Sequence, residues 1–133
     1  MKFHKLFFVV LTALLLCAAA PTSAQERSNG AYIEVADSVH DFGVMERRGK
    51  NKSHTFHITN SGNEPLVLLS ALTSCSCTKA TFSKKPIPTG GKGTVKVVVE
   101  PSKVEKGVFN RIILLHSNAS NSTVILTIKG LAK

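Results

Sequence analysis

Two cysteines separated by a single residue, Cys75 and Cys77, are the side chains whose type and spacing suggest chemistry. In a strand, residues i and i+2 share a face, with Cα atoms about 6.5 Å apart. That separation is close to the upper limit of roughly 6.8 Å for a disulfide, so a bend is needed to bridge the pair. The small ring would stabilise the fold little, and such a bridge would be reducible and a candidate for redox exchange.

Three other interpretations of the pair stay open. Two thiolates on one face bind a soft ion such as Cu(I) or Zn(II) when a histidine completes the site. The candidate histidines, none of them at motif spacing to the cysteines, are His40, His54, His57 and His116. The cysteines can also be buried small hydrophobes or pair with another chain. Thioredoxin-like catalysis is not expected, because the spacing is C-x-C and no helix start lowers a thiol pKa.

The chain carries no hydrolase or transferase signature. It has no Gly-rich phosphate loop, no G-x-S-x-G elbow and no H-E-x-x-H segment. Its eight acidic residues are scattered, without a pattern that pairs two carboxylates. The sequence therefore predicts a protein that is not an enzyme and that needs no cofactor.

The first 24 residues have the order of a cleavable signal peptide. Lys2 and Lys5 precede an almost wholly apolar run over 6–20, and small residues then lead to a cleavage position between Ala24 and Gln25. About 15 apolar residues are short against the roughly 20 that a spanning helix needs. We therefore expect export to the periplasm or secretion, with no transmembrane span in the mature chain.

A lipid anchor is the weaker alternative for this leader. Cys17 would be the lipidated residue, but Leu16 stands before it where such signals have a small residue. Removal of the leader leaves a chain long enough for one domain. The expected organisation is a flexible leader at 25–30 followed by one domain at 31–133.

The formal net charge of the whole chain is +9, and loss of the two leader lysines reduces it by two. A basic surface of this kind favours anionic partners. The positive residues cluster in one turn (Arg47, Arg48, Lys50 and Lys52) and in a second loop (Lys84 and Lys85). Aromatic residues are not interleaved with either cluster, so no stacking platform for bases is formed and specific nucleic-acid binding is not expected.

The domain consists of short runs of β-branched and aromatic residues separated by turn-forming residues, and in no stretch do apolar residues recur with the helical period. These runs predict strands at 31–36, 39–44, 53–60, 66–73, 94–100, 108–116 and 123–129. Seven or eight short strands without a helix predict an all-β fold, an immunoglobulin-like sandwich of about seven strands. A closed barrel is the alternative.

Several polar and glycine positions suit the ends of these strands. Asn60 and Asn118 each end a strand, where a short amide can bond nearby backbone groups. Gly43, Gly62 and Gly90 fall where turns need a positive φ or a close backbone approach. We expect these residues to support the scaffold rather than form a site.

An ordered set of short motifs carries a family resemblance. The motifs are Asp41-Phe42-Gly43, His54-Thr55-Phe56, Thr59-Asn60-Ser61-Gly62, Glu64-Pro65-Leu66, Ser74-Cys75-Ser76-Cys77-Thr78, Pro86-Ile87-Pro88-Thr89-Gly90, Ser117-Asn118 and Ile128-Lys129-Gly130. Over about 36–131 the chain resembles the small exported bacterial Ig-like domains of unknown function that are marked by a Cys-Gly-Cys-Thr segment, which in turn resemble Hydin-type and major-sperm-protein-like sandwiches. The resemblance implies the fold but no activity. Glycine is usual between the cysteines of that family and eases a bend, whereas Ser76 stands there in this chain.

Alternation along the strands also predicts which apolar side chains point away from the core. Inward Ile113, Leu115, Leu126 and Ile128 leave Ile112, Leu114 and Ile125 outward, and inward Leu66 and Leu68 leave Leu69 outward. In an Ig-like topology the three strands concerned share a sheet. The four outward residues would then form one apolar patch that marks a partner or dimer surface. The alternatives are that they are ordinary isolated exposed residues or that the N-terminal strand covers them.

Two functional classes follow. The favoured one is an exported, non-enzymatic binding or structural module of the bacterial envelope or periplasm, which contacts protein or glycan and is a candidate homodimer. The alternative is a thiol-based redox or copper-handling protein that uses Cys75 and Cys77.

Overall fold

The computed structural model of the chain describes residues 29–133, which form eight β-strands and one 3₁₀ turn. The strands are β1 (Ile33–Val35), β2 (Val39–Met45), β3 (Lys52–Asn60), β4 (Leu68–Thr73), β5 (Thr78–Phe82), β6 (Lys92–Val99), β7 (Gly107–Ser117) and β8 (Thr123–Ala132), and the turn is Pro101–Lys103. The predicted signal peptide, its Ala24–Gln25 cleavage position and Cys17 lie outside the described residues. Within 29–133, no helix has the length and apolar character to cross a bilayer.

The strands form two four-stranded sheets. The first sheet has the order β1-β3-β6-β5, and the second has the order β2-β8-β7-β4. All neighbours pair antiparallel except β2, which runs parallel to β8 at the edge of the second sheet. Buried side chains from both sheets form one hydrophobic core between them. The predicted immunoglobulin-like sandwich is thus confirmed, and β4, β7 and β8 share one sheet as expected.

The core follows from the two-residue period of the longest strands. Val95, Val97 and Val99 of β6 are completely buried, as predicted, because alternate side chains of a strand point to the same face. The other fully or almost fully buried large side chains are Met45, Phe56, Ile58, Leu66, Val104, Ile113, Leu115, Leu126 and Ile128. Each such side chain contributes about 1.5–3 kcal/mol relative to an exposed position, so this layer stabilises the sandwich.

Two details of the strand prediction are corrected by the structure. A strand at Thr78–Phe82 was not predicted, and it forms an edge of the first sheet beside β6. The strand predicted at 66–73 begins at Leu68, because Leu66 instead exchanges two backbone hydrogen bonds of 2.8 Å with Ile87. Before it enters β4, the chain is therefore bound to Ile87, which lies in the loop between β5 and β6 of the first sheet.

Asn60, the last residue of β3, is fully buried and bonds to four backbone groups. Its amide nitrogen donates to the carbonyls of Glu64 (2.7 Å) and Ile87 (3.0 Å). Its amide oxygen accepts from the N–H groups of Gly62 (3.1 Å) and Tyr32 (3.3 Å). This confirms the scaffold role predicted for Asn60, which connects three separate chain segments.

Asn118 performs the same task at the end of β7, at an exposed position. Its oxygen accepts from Val67 N–H at 2.7 Å, and its nitrogen donates to the Pro65 carbonyl at 3.1 Å. Gly43 marks a register shift in β2 and has a φ of 68°, a conformation that glycine adopts without a Cβ penalty. The scaffold role predicted for Asn118 and the positive φ predicted for Gly43 are therefore confirmed.

Candidate functional site

The turn between β4 and β5 brings the two cysteines together. Cys75 and Cys77 form a disulfide, with their Cα atoms 5.1 Å apart. The backbone N–H of Thr78 donates to the Cys75 carbonyl at 3.1 Å, which closes a turn around Ser76. The chain thus supplies the bend that an extended C-x-C segment lacks.

Hydrogen bonds outside the disulfide hold this turn to the sandwich. The Thr73 hydroxyl donates to the Thr78 carbonyl at 3.2 Å, and the Glu100 N–H donates to the Cys77 carbonyl at 2.8 Å. A three-residue loop restricts the unfolded chain little, so the chain-entropy relation gives the bridge a contribution of only about 1.5 kcal/mol. The turn's position is therefore set mainly by the backbone and by Thr73.

The two sulfur-bearing side chains differ in exposure. Cys77 is 1% exposed and packs in the core, whereas Cys75 is half-buried and lies at its margin. The Cys77 N–H donates to Cys75 Sγ at 3.1 Å, and the Thr78 hydroxyl lies 3.4 Å from Cys77 Sγ. Cys75 is therefore the more exposed of the two cysteines.

The histidines that were candidate metal ligands are placed elsewhere. His40 of β2 and His54 of β3 stack on each other, with ring centroids 3.7 Å apart and planes 9° from parallel. The lone pair of an imidazole nitrogen lies in its ring plane, so parallel stacked rings cannot direct two lone pairs at one ion without rotating. His116 instead bonds to the Thr123 hydroxyl at 3.0 Å.

Within residues 29–133, no three His, Cys, Asp or Glu side chains lie close enough to hold a metal ion. In this part of the chain the two cysteines are joined to each other, and none of the candidate histidines forms such a group with them. Partial burial of His54 and, to a smaller degree, the nearby His40 lower the pKa of His54 from its ordinary value of 6.5, while Asp37 acts in the opposite direction.

The outer side of the second sheet carries the apolar residues predicted from alternation. Leu114 of β7 pairs with Ile125 of β8, and Ile112 lies two residues away on the same side of β7. Leu69 is 61% exposed and Ile125 is 54% exposed. Leu69 is the additional residue at a register shift in β4, so it stands beside this group and not in register with it.

Two further aliphatic residues of this surface were missed. Strict alternation from Leu66 and Leu68 places Leu72 inward, but the register shift at Leu69 places Leu72 opposite the outward Leu114. Leu72 is 54% exposed as a result. Val39 joins the surface because β2 runs parallel to β8 and pairs with Thr127. We call the six residues Leu69, Leu72, Ile112, Leu114, Ile125 and Val39 the aliphatic face.

The register shows how this face is arranged. Leu72, Leu114 and Ile125 form a row across β4, β7 and β8. The next row is formed by Ile112, Thr127 and Val39. Charged residues first occur in the row after that, where Asp41 pairs with Lys129. Two successive rows therefore carry no charge.

The outer side of the first sheet has the opposite character. Its rows join Thr81, Lys96 and Thr55, then Thr94 and His57. The row beyond joins Lys92, Thr59 and Glu34. The two outer surfaces of one sandwich thus differ in polarity, although strands on both sheets alternate in the same way.

The basic clusters have partly structural roles. Arg47 is half-buried, and its Nε donates to the Val104 carbonyl at 2.9 Å. In the second cluster the Lys84 ammonium lies 3.7 Å above the ring of Phe82, which precedes the two lysines in the sequence and does not alternate with them. Lys84, Lys85 and Lys92 line an open depression of about 320 Å³. One lysine on one ring does not form a series of stacking platforms for bases.

A family model described as "Protein of unknown function (DUF1573)" matches residues 33–132. The chain belongs to the DUF1573 family. The resemblance stated from the motifs is confirmed to that extent. No curated protein matches the sequence.

Solved structures show the fold of this DUF1573 domain in other proteins. A protein of unknown function from Porphyromonas gingivalis W83 has a TM-score of 0.69 at 19% identity, with 84% of this chain and 51% of that chain covered. The chain thus spans about half of that relative. The ASH/PapD-like domain 7 of human CEP192 has a TM-score of 0.62 at 9% identity, with 78% and 87% covered. The periplasmic chaperone SfaE has a TM-score of 0.52 at 10% identity, with 77% and 57% covered.

Proposed function

We propose that this DUF1573 domain is an exported, non-enzymatic binding module whose aliphatic face binds another protein. The observation that carries the proposal is the difference between the two outer surfaces. The first sheet presents threonine, lysine and histidine to solvent, whereas the second presents two uncharged rows rich in leucine, isoleucine and valine. A contiguous exposed apolar patch of this kind marks an interaction site more often than scattered apolar residues do.

The chemistry of the aliphatic face favours a protein over a glycan or a nucleic acid. Sugar rings and bases are held by aromatic stacking and by polar groups, and these two rows contain only one polar side chain, Thr127. An anionic polymer would need the two basic clusters, which lie in other parts of the domain, and among the lysines and arginines of residues 29–133 only Lys129 borders the face. The cores of protein interfaces are depleted of charge, and a partner that presents an uncharged aliphatic surface fits this face.

The size of the aliphatic face is compatible with a specific complex. Its six side chains expose on the order of 500 Å², which lies within the range of the largest patch on a typical monomer. A standard interface buries roughly 800 Å² on each partner. The row with Asp41 and Lys129 borders the face and would supply the polar rim that such an interface has.

Export is the second part of the proposal, and its support is the leader at 1–24 with small residues before Gln25. The sandwich is one that a periplasmic chaperone, SfaE, also uses. Copper handling has less support, because the disulfide occupies both thiolates that would bind the ion.

Site-specific photo-cross-linking in the cell tests the proposal. A photoreactive residue at Ile125 or Leu72 should cross-link to a defined protein, either another gene product or a second copy of this chain. The same residue at Thr55 or Thr94, on the polar outer surface of the first sheet, is the matched control. The cross-linked protein is then purified and must bind the wild-type domain in solution. Equal cross-linking from both surfaces, or no binding by the purified protein, contradicts the proposal.

A further inference from the structure

The disulfide is a chemically reactive group that the proposed binding function does not use. Cys75 and Cys77 are the cysteines of the described residues, and their bond lies in the turn that passes from the second sheet to the first. One sulfur belongs to a half-buried residue at the margin of the core and the other to a residue inside it. Cys75 is therefore the more exposed end of the bond.

Hydrogen bonds also hold the turn, in addition to the disulfide. Three hydrogen bonds maintain its path: Thr78 N–H to the Cys75 carbonyl, Thr73 hydroxyl to the Thr78 carbonyl, and Glu100 N–H to the Cys77 carbonyl. None of the three uses a sulfur atom. Reduction therefore leaves both thiols on the same short turn, where an external disulfide that accepts the two electrons can restore the bond, with ring closure as an intramolecular step.

We propose that Cys75 and Cys77 form a thiol–disulfide exchange site that accepts two electrons from a dithiol, with Cys75 Sγ as the sulfur that is attacked. Disulfides exchange when a thiolate attacks one of the two sulfurs, and access is one of the factors that set the rate. Cys75 is half-buried and is the more exposed of the two cysteines. Cys77, which is 1% exposed, is the leaving group.

The exchange proceeds in two balanced steps. A thiolate of the external dithiol attacks Cys75 Sγ, the Cys75–Cys77 bond breaks, and its electron pair leaves on Cys77 Sγ. The second thiolate of the dithiol then attacks the first sulfur of the dithiol, which is bonded to Cys75 Sγ in the mixed disulfide. The electron pair of that bond leaves on Cys75 Sγ. The dithiol loses two electrons and two protons and becomes a disulfide, while Cys75 and Cys77 gain both and become thiols.

The turn also supplies a partner for the leaving thiolate. The Thr78 hydroxyl lies 3.4 Å from Cys77 Sγ, and it can rotate to donate its hydrogen. A hydrogen bond to the charged form of a group favours that form. Thr78 is thus a positioning residue for the departure of Cys77, and it acts on a sulfur that solvent does not reach.

The first test maps the attacked sulfur in the full exported chain. Incubation with reduced glutathione, followed by acid quenching and peptide mass spectrometry, should locate glutathione on Cys75 and not on Cys77. The single variants are matched to each other: Cys77→Ser leaves the accessible thiol, and Cys75→Ser leaves the buried one. We expect 5,5′-dithiobis(2-nitrobenzoate) to react with Cys77→Ser at least tenfold faster. Glutathione on Cys77, or equal rates in the two variants, overturns the proposed direction of attack.

The second test separates an exchange site from a structural bridge. Reduced lipoamide (dihydrolipoamide) should reduce the wild-type bond with one dithiol oxidised per chain, and the circular dichroism and cooperative thermal transition of the reduced chain should persist. Thr78→Val should slow the reduction by dihydrolipoamide several-fold. The matched control is Thr81→Val, the same change at the other threonine of β5, which should leave the rate of reduction unchanged. A bond that resists excess dihydrolipoamide, or a chain that unfolds on reduction, overturns the proposal.

Discussion

His40 of β2 and His54 of β3 stack face to face across the gap between the two sheets, with ring centroids 3.7 Å apart. Each ring also contacts a phenylalanine edge-to-face, Phe42 at 4.5 Å and Phe56 at 4.7 Å. At His54, β3 has no neighbouring strand among the described residues along the edge away from β6, because β1 pairs only with residues 58–60 of β3. The four rings therefore close one open edge of the sandwich.

This stack predicts a loss of stability in acid. Partial burial and the adjacent His40 lower the pKa of His54 in the folded chain, while Asp37 opposes the shift and His57 adds to it. The unfolded chain therefore binds a proton at His54 more readily than the folded chain does. The contribution of His54 to the free energy of unfolding is thus fully present above pH 6.5, and it is lost as the pH falls from there through the lower folded-state pKa. The melting temperature should decrease over that interval.

The variant His54→Gln tests this pH dependence, because glutamine does not titrate there. Its melting temperature should decrease less between about pH 7.5 and pH 5 than that of the wild type, because one linked proton is absent. The control is Thr55→Val, at a position that does not titrate on the outer side of the first sheet, which should retain the wild-type decrease. Parallel curves for wild type and His54→Gln would show that the stack does not respond to protons.

Asn60→Ala should be among the most destabilising polar substitutions in the domain. It removes the hydrogen bonds that Asn60 makes to backbone groups of Tyr32, Gly62 and Glu64, and it leaves the Ile87 carbonyl with the Leu66 N–H alone. One buried unsatisfied group costs about 1–3 kcal/mol, so we expect a loss of about 3 kcal/mol or more in urea denaturation. Asn118→Ala removes two bonds at an exposed position and should cost less. Equal losses in the free energy of unfolding from Asn60→Ala and Asn118→Ala would contradict the claim that burial makes Asn60 the more important residue.

Two consecutive residues of β8 should respond to substitution in opposite ways. Leu126 is completely buried and Ile125 is 54% exposed. Leu126→Ala should lower the free energy of unfolding by about 2–5 kcal/mol, whereas Ile125→Thr should change it by less than about 1 kcal/mol. Chemical denaturation of the two variants measures both values. A large loss from Ile125→Thr would mean that the aliphatic face is covered within the folded chain.

The leader should be removed between Ala24 and Gln25. Intact-mass measurement of the periplasmic protein should therefore give a chain that starts at Gln25. The residue before the cleaved bond has to be small, so Ala24→Leu should accumulate uncleaved precursor, while Ser23→Leu, at the tolerant position beside it, should be processed. Processing of both variants at the wild-type rate would reject this cleavage position.

The sequence was sufficient for the layer architecture because most strands are long enough to display the two-residue period. Strand β5 escaped prediction because its inward side chains, Thr78, Ala80 and Phe82, include a polar threonine and a small alanine, so its five residues show little alternation of apolar and polar types. The bond between Cys75 and Cys77 was one of several open interpretations, since the turn that shortens their Cα separation depends on Thr78 and Glu100.

Other features depend on tertiary pairings that no local pattern encodes. The register shift at Leu69 reverses the orientation of Leu72, and a single inserted position in a strand leaves no compositional sign. Val39 reaches the aliphatic face only because β2 runs parallel to β8. The stacking of His40 on His54 joins two different sheets. Each of these contacts is set by how strands pair or face one another.

The equilibrium Kd for the protein that cross-links to Ile125 tests the central claim most directly. Leu114→Lys combined with Ile125→Lys places two charges in the aliphatic face, and Ser53→Lys combined with Thr59→Lys places the same two charges on the outer side of the first sheet. We predict that the first pair weakens binding at least tenfold, about 1.4 kcal/mol, and that the second pair leaves Kd unchanged, with both variants folded. If the partner is a second copy, sedimentation equilibrium gives the same Kd. Wild-type affinity in the Leu114→Lys/Ile125→Lys variant would contradict the account.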